Sequence, residues 1–170
     1  MMGVGKSTVG PALAERLGRR FVDTDREIER RAGRRIAEIF AEEGEAAFRR
    51  LEAEAVEDAG AGGAVVALGG GAVTAPGAMD RLLERGPVVF LSADARTLLE
   101  RIGDPSSRPL LAGLDTEARI LRIEALLAER MPCYARATFA VEARGSAEDV
   151  VDRIVDELGG PGRCTTSGEA

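Results

Sequence analysis

The sequence predicts a three-layer α/β fold in which helices flank a short parallel sheet. Short, β-rich apolar segments alternate along the chain with segments of helical periodicity, which is the pattern of such folds. The chain has 170 residues, the usual length of one domain. Its formal net charge of −6, with 31% charged residues, fits a globular protein and argues against a broad nucleic-acid-binding face.

Four strands are predicted, each from a short apolar run bounded by turn-forming residues. They lie at Phe21–Asp23 and at residues 64–68, 87–91 and 138–141. Their separation along the chain leaves room for helical crossovers, which parallel strands require.

Helices are predicted from apolar spacing and from residues that cap helix starts. Apolar residues recur at helical spacing in two segments: Val9, Leu13 and Leu17, and then Phe48, Leu51, Ala55 and Val56. Helix starts are indicated by Asp94 before a run to Arg101, by Thr116 before a run to Arg130, and by Ser146 with Asp149 before a helix ending near Gly159. The aperiodic residues 103–114 read as a functional loop, and residues 159–170 as a disordered tail after a domain of residues 1–158.

Several classes of protein are disfavoured by what the sequence lacks. No apolar run approaches the ~20 residues of a membrane helix and no signal peptide opens the chain, so a cytoplasmic protein without a membrane partner is expected. Cys133 and Cys164 lie in unlike contexts, which argues against a structural disulfide. The chain has no histidine, so its chemistry must rest on carboxylates, arginines, backbone groups and any bound metal ion.

The chain begins with a segment that matches the end of a phosphate-binding loop: Gly3-Val4-Gly5-Lys6-Ser7-Thr8. In such loops glycines let backbone N–H groups approach phosphate, lysine reaches the β- and γ-phosphates, and the hydroxyl ligates Mg²⁺. Lys6 is the only lysine among 23 cationic residues, which suggests that its position needs a compact ammonium. The alternative is a glycine turn that opens a helix beside an incidental lysine.

Two features of this region depart from a complete motif. The full motif needs a first glycine just ahead of Met1, and the strand that normally feeds the loop also precedes it. We therefore expect low stability and a natural protein that starts upstream. Pro11 falls in the second turn of the following helix, where a kink or a late helix start is expected.

Two carboxylates, Asp23 and Asp25, stand at the carboxyl end of the first predicted strand. This edge of a parallel sheet is where open α/β folds bind ligands. The alternative is that the acidic strand end simply caps the helix that begins near Arg26. The nearby phosphate-binding loop favours a functional role.

Six blocks in this order resemble the shikimate kinase family, from Gly3 to about Leu158. Besides the phosphate-binding loop they are Asp-Thr-Asp at 23–25, Phe-Arg-Arg-x-Glu at 48–52, Leu-Gly-Gly-Gly-Ala at 68–72, Arg-Pro-Leu-Leu at 108–111 and Arg-x-Pro-x-Tyr at 130–134. The resemblance implies a P-loop kinase fold and transfer of the γ-phosphate of ATP to the 3-hydroxyl of shikimate, in aromatic amino-acid biosynthesis. In the family that this chain resembles the missing strand is central in the sheet, which implies an unfilled slot between the strands at 64–68 and 87–91.

The resemblance also implies roles for individual residues. Asp23 and Ser7 would belong to the Mg²⁺ shell, and Asp25 would bind substrate hydroxyls and act as the candidate base. Arg49 and Arg130 would clamp the substrate carboxylate, with Glu52 orienting Arg49; alternatively, Arg49 is only an exposed partner of Glu52. The substrate-binding turn would be Gly69, Gly70 and Gly71, for which a plain tight turn is the alternative.

Three further arginines are implied around ATP. Arg108 would close the lid, residues 103–114, over the transferring phosphate, and Arg101 and Arg144 would lie around the adenine. The cluster of Arg30, Arg31, Arg34 and Arg35 reads instead as solvated helix surface.

The expected partners are therefore ATP, with Mg²⁺, and shikimate, with no nucleic acid, and the expected state is a monomer. Two alternatives remain open from the sequence. One is a related kinase, such as a gluconate or nucleoside-monophosphate kinase. The other is an inactive remnant that binds a nucleotide or a partner.

Overall fold

The computed structural model describes residues 1–60, 63–103 and 110–159. The helices are α1 (Lys6–Arg16), α2 (Thr24–Ala32), α3 (Ile36–Gly60), α4 (Ala78–Arg85), α5 (Ala95–Arg101), α6 (Thr116–Tyr134) and α7 (Ala147–Gly159). The strands are β1 (Phe21–Asp23), β2 (Val65–Ala67), β3 (Val89–Ser92) and β4 (Phe139–Glu142). Among the described helices, none combines the length and the apolar character needed to cross a bilayer.

The four strands form two parallel pairs. β1 pairs with β2, with Phe21 opposite Val65, and β3 pairs with β4, with Val89 opposite Phe139. Within the described ranges no ladder of hydrogen bonds joins β2 to β3, where the sequence predicts a slot. The predicted α/β class and parallel strand direction are confirmed. The strands form two short sheets, however, where the sequence predicts one.

Helical layers cover both faces of the strand pairs. On one face α1 and α7 bury a cluster against which Val65 of β2 and Val89 of β3 both pack. On the other face, α4 and the end of α6 bury a second cluster, which Leu68 and Phe90 join. Because each cluster receives side chains from both strand pairs, the two pairs lie between the same two helical layers, as predicted for a three-layer fold.

Two further clusters place the elements that carry the site. Met1 and Val4 of the phosphate-binding loop pack with Leu98 and Ile102 of the α5 region and with α6. A separate cluster holds α2 against α3, with Ile28 at its centre. These clusters hold the phosphate-binding loop against α5 and α6, and α2 against α3.

Most predicted helix boundaries are confirmed. Asp94 caps α5 through a bond from the Thr97 amide (2.9 Å), and the Ser146 and Asp149 side chains cap α7 reciprocally. At α6 the prediction is one residue late, because Asp115 rather than Thr116 is the cap. Its carboxylate accepts the Ala118 amide, and α6 continues past Arg130 to Tyr134.

The expectation of a late helix start at Pro11 is wrong. α1 begins at Lys6 and continues through Pro11 to Arg16. Pro11 is exposed, whereas Val9 and Leu13 on the other side of the helix are buried. Packing of this buried side maintains the helix although proline removes one of its hydrogen bonds.

Three predictions lie wholly or partly outside the described residues. These are residues 104–109 of the predicted lid at 103–114, the tail from residue 160 onward, and Cys164. Cys133, which the structure does describe, is a free thiol.

Candidate functional site

The phosphate-binding loop ends at the amino terminus of α1. Gly3 (φ 73°) and Gly5 (φ 97°) both adopt left-handed conformations, which favour glycine. A side chain at Gly3 would also collide with α5, since its Cβ would lie 2.5 Å from the Leu98 carbonyl oxygen. No side chain caps α1, and Ser7 is exposed in its first turn. The positive end of the helix dipole is therefore available to an anion.

Lys6 and the predicted acceptor residues converge on Met1. Lys6 Nζ donates a hydrogen bond to the Met1 carbonyl oxygen at 2.9 Å, and Arg130 Nη1 lies 4.0 Å from Met1 Sδ. Burial, followed by the charges of Lys6 and Arg130, lowers the pKa of the Met1 amino group to about 4, and Asp25 opposes that shift. Lys6, Arg130 and Asp25 thus all act on the same buried residue, Met1.

Gly69, the first residue of the glycine turn at Gly69–Gly71, lies between two carboxylates. A Cβ built on Gly69 would lie 2.6 Å from Glu52 Oε1 and 2.9 Å from Asp25 Oδ1. Real Cβ atoms essentially never come this close, so a side chain at this position would force Glu52 or Asp25 to shift. Asp25, from α2, and Glu52, from α3, are therefore neighbours across the turn.

The other two glycines lie against the two arginines of the predicted carboxylate clamp. A Cβ on Gly70 would lie 3.0 Å from Arg130 Nη1, and one on Gly71 would lie 2.6 Å from both Nη atoms of Arg49. The bare backbone of the turn thus contacts Arg49 from α3 and Arg130 from α6. Two guanidiniums beside exposed backbone suit a small planar anion such as a carboxylate.

The two aspartates at the end of β1 have different surroundings. Asp23 Oδ1 accepts hydrogen bonds from the amides of Asp25 (3.0 Å) and Arg26 (3.3 Å), so Asp23 is the amino-terminal cap of α2. The alternative interpretation, that the acidic strand end caps the following helix, therefore holds for Asp23. Asp25 lies one residue inside the helix and faces the glycine turn.

Arg49 is held by two carboxylates on its own helix. Its Nη1 donates to Glu52 Oε2 at 2.6 Å, and its Nη2 donates to Glu45 Oε1 at 2.9 Å. Burial alone would lower the pKa of Arg49, but the hydrogen bonds that Arg49 donates to Glu52 and Glu45 raise it. The Glu52 side chain is only 4% exposed, and burial raises its pKa against the opposing pull of Arg49. Glu52 thus fixes the guanidinium from the protein side.

Arg130 is a buried cation with an unused donor. The residue is 8% exposed, and its Nε–H has no hydrogen-bond partner among the described residues. A buried guanidinium with an unsatisfied N–H is costly, and such groups are rare in native proteins. An anion bound beside the glycine turn would offset this cost.

Two hydroxyls that the sequence analysis did not single out fix the backbone near the turn. Thr24 is fully buried; its Oγ1 donates to the Ala67 carbonyl (3.1 Å) and accepts from the Gly69 amide (3.3 Å). Tyr134 donates from its hydroxyl to the Gly70 carbonyl at 2.7 Å. Thr24 lies between the two predicted aspartates, and Tyr134 lies one helical turn beyond Arg130. Their positions within two of the sequence blocks mark these residues, but not the backbone groups that they bind.

The three arginines predicted around ATP differ in how far the structure describes them. Arg101 is exposed at the end of α5, next to Ile102, which packs against the phosphate-binding loop. Arg144 is also exposed and pairs with Glu142 at 2.8 Å. Ala143, which precedes Arg144, and Ile102 share a buried cluster with Met1 and Val4 of the loop. Arg108 lies outside the described residues.

Ser7 and Asp23 are compatible with a magnesium ion. Mg²⁺ is typically held by one or two protein oxygens, its own waters and the substrate phosphates rather than by a dedicated protein cage. Within the described ranges, no group of three or more histidine, cysteine, aspartate or glutamate residues is arranged to hold a metal ion. Ser7 offers an exposed hydroxyl, and Asp23 uses Oδ1 for both of its capping bonds.

Comparison with known proteins gives one consistent family. The family model described as shikimate kinase matches residues 2–159. The shikimate kinase of Symbiobacterium thermophilum is 47% identical over 163 residues, which cover 93% of this chain and 92% of that protein. The shikimate kinase of Halorhodospira halophila is 48% identical over 162 residues, covering 94% and 90%.

A solved structure agrees with these relatives. The structure of shikimate kinase from Acinetobacter baumannii in complex with shikimate superimposes with a TM-score of 0.84 at 38% identity. The match covers 92% of this chain and 88% of that one.

Proposed function

We propose that this chain, which belongs to the shikimate kinase family, transfers the γ-phosphate of ATP to the 3-hydroxyl of shikimate. The reaction is a step of aromatic amino-acid biosynthesis. The observation that carries the proposal is the convergence of Lys6, Arg130 and Asp25 on the same buried residue, Met1. This supports a single cavity in which a phosphate donor and a carboxylate-bearing acceptor meet.

At the donor end, the residues of the phosphate-binding loop bind ATP. Backbone amides from Gly3 to Thr8 and the dipole of α1 hold the phosphates, and the Lys6 ammonium neutralises charge on the β- and γ-phosphates. Arg101, beside the loop, and Arg144 contribute at the adenine. Arg108, from the lid at residues 103–114, adds positive charge to the transferring phosphoryl group and helps to exclude water.

At the acceptor end, two guanidiniums orient the substrate by its carboxylate. Arg130 supplies its unused buried donor, and Arg49, held by Glu52, supplies a preorganised fork. Backbone groups of the glycine turn, Gly69–Gly71, lie against the substrate ring because no side chain intervenes.

Asp25 then binds the accepting hydroxyl and receives its proton as the phosphoryl group arrives. Phosphoryl transfer needs little covalent assistance from the protein, so most of the rate enhancement comes from positioning the hydroxyl in line with the γ-phosphate. The carboxylate of Asp25 faces the turn at Gly69, on the same side as the arginine clamp.

Mg²⁺ is the proposed metal, held by the Ser7 hydroxyl and, within its shell, by Asp23. Ser7 and Asp23 would hold the ion, which would supply positive charge to offset the charge of the ATP phosphates. We further propose that the protein acts in the cytoplasm as a monomer and that residues 1–158 form its one catalytic domain.

An acceptor panel tests this proposal. ADP release is measured with shikimate, gluconate and a nucleoside monophosphate, and turnover is expected with shikimate alone. Lys6→Ala, Asp25→Asn and Arg130→Ala should each lower kcat/KM at least about a hundredfold. Arg35→Ala and Asp58→Asn are matched controls, because both residues lie in exposed ion pairs on the surface.

Two results would overturn the proposal. Turnover with another acceptor but not with shikimate would identify a related kinase. A folded chain that turns over no acceptor, and that ATP with Mg²⁺ does not stabilise against heat, would instead be an inactive remnant.

A further inference from the structure

The glycine turn presents a physical problem. Three successive glycines carry no side chains that could anchor the turn, and glycine loses more backbone entropy on folding than other residues. A substrate-binding turn must nevertheless hold its amides to within a fraction of an ångström. Something outside Gly69–Gly71 has to fix its backbone.

Thr24 fixes the first residue of the turn. Its hydroxyl is both donor and acceptor: it donates to the Ala67 carbonyl, at the end of β2, and accepts from the Gly69 amide. The residue is fully buried, so water does not compete for either bond. Thr24 also directly precedes Asp25, so one hydroxyl links the turn to the backbone that positions the proposed base.

Tyr134 fixes the second residue from the opposite side. Its hydroxyl donates to the Gly70 carbonyl at 2.7 Å, and its ring stacks on Phe90 with centroids 4.6 Å apart. Burial raises the pKa of Tyr134, so the hydroxyl remains a donor throughout the physiological range. Tyr134 lies four residues after Arg130 on α6, and both side chains reach Gly70.

We infer that Thr24 and Tyr134 are positioning residues. They hold the glycine turn in place relative to Asp25 and Arg130, the proposed shikimate-binding residues on the same two helices. The inference rests on the proposed function, because it assumes that the turn contacts shikimate. It assigns to each hydroxyl an effect on acceptor binding, with no effect on the ATP end of the site.

Thr74 provides a matched control on the same turn. Its hydroxyl donates to the Gly71 carbonyl at 2.8 Å, but its own backbone amide already binds that oxygen at 3.0 Å. Removing the Thr74 hydroxyl therefore leaves the turn attached, whereas removing the hydroxyl of Thr24 or Tyr134 breaks its bond to the Gly69 amide or to the Gly70 carbonyl.

Steady-state kinetics of the full chain test the inference. Thr24→Val and Tyr134→Phe should each raise the KM for shikimate about five- to tenfold, because each removes one buried hydrogen bond to the glycine turn. The KM for ATP and kcat should stay within about twofold, as should all constants of Thr74→Val. Thr24→Ser keeps the hydroxyl and should restore the KM for shikimate, and it remains available if Thr24→Val does not fold.

Amide hydrogen exchange of Gly69–Gly71, measured without substrate, is the second readout. Exchange should be faster in Thr24→Val and Tyr134→Phe than in Thr74→Val. Unchanged exchange together with an unchanged KM for shikimate would overturn the inference, as would equal losses at the ATP and shikimate ends. If the wild type fails to phosphorylate shikimate, the proposed function fails, while the exchange rates still decide whether the hydroxyls hold the turn.

Discussion

Substitution of Gly71 by alanine tests the proposed carboxylate clamp without altering any charged residue. The added Cβ would lie 2.6 Å from Nη1 and Nη2 of Arg49 and 2.9 Å from its Cζ. Ordinary van der Waals contact begins near 3.4 Å, so the guanidinium must retreat by about 0.8 Å to restore it. Glu52, which binds this guanidinium, cannot readily move with it, because Glu52 is buried and also lies against Gly69.

A displacement of this size has a calculable consequence. Misplacing a substrate-positioning group by about 1 Å can cost roughly a hundredfold in rate. We therefore expect Gly71→Ala to lower kcat/KM for shikimate about ten- to a hundredfold, mainly through KM. Stability should change little, because the clash is with the end of a flexible side chain and Gly71 does not have a left-handed backbone.

Coupled measurement of ADP release at varied shikimate, with a thermal melt of each variant, checks this expectation. Gly159→Ala is the matched control, since its new methyl group would meet nothing within 4 Å. Wild-type kcat/KM in Gly71→Ala would refute the assignment of Arg49 to the substrate. An equal loss of activity in Gly159→Ala would show that the effect is not local.

Two further predictions concern stability. Bonds from Arg30 and then Arg31 lower the pKa of Glu27 from its ordinary 4.5 to about 2, so its stabilisation is present above pH 4.5 and is lost as the pH falls towards 2. Urea midpoints across this window should therefore fall less steeply in Glu27→Gln than in the wild type, and identical slopes would contradict the reasoning. Ser146→Ala removes the hydroxyl that caps α7 by accepting the Asp149 amide, and should cost about 1 kcal/mol, or ~2–4 °C in Tm. An unchanged melt would show that this cap contributes nothing.

The sequence predicts those elements whose cause is local. β1 begins and ends where its apolar run does, and α5 and α7 begin at residues whose side chains cap them. α4 escaped prediction because it starts after Gly77, which has no capping side chain, and because an Ala-Pro-Gly segment suggests a loop. The spacing of Met79, Leu82 and Leu83, which pack into one cluster, was the available signal.

The candidate site likewise combines contacts that were predictable from local sequence with contacts that were not. The pairing of Arg49 with Glu52 follows from their three-residue spacing on a helix and was predictable. The bonds of Thr24 to Gly69 and of Tyr134 to Gly70 join residues 45 and 64 positions apart. Such contacts depend on how helices pack around the strands, and no local pattern in the sequence specifies them.

Direct identification of the product tests the central claim, that the phosphate-binding loop and the acceptor residues share one cavity. ³¹P NMR of the wild-type protein with ATP, Mg²⁺ and shikimate should show one new phosphomonoester, on the 3-hydroxyl, formed in step with ADP. ATP converted to ADP and free phosphate, with no phosphomonoester, would contradict the account.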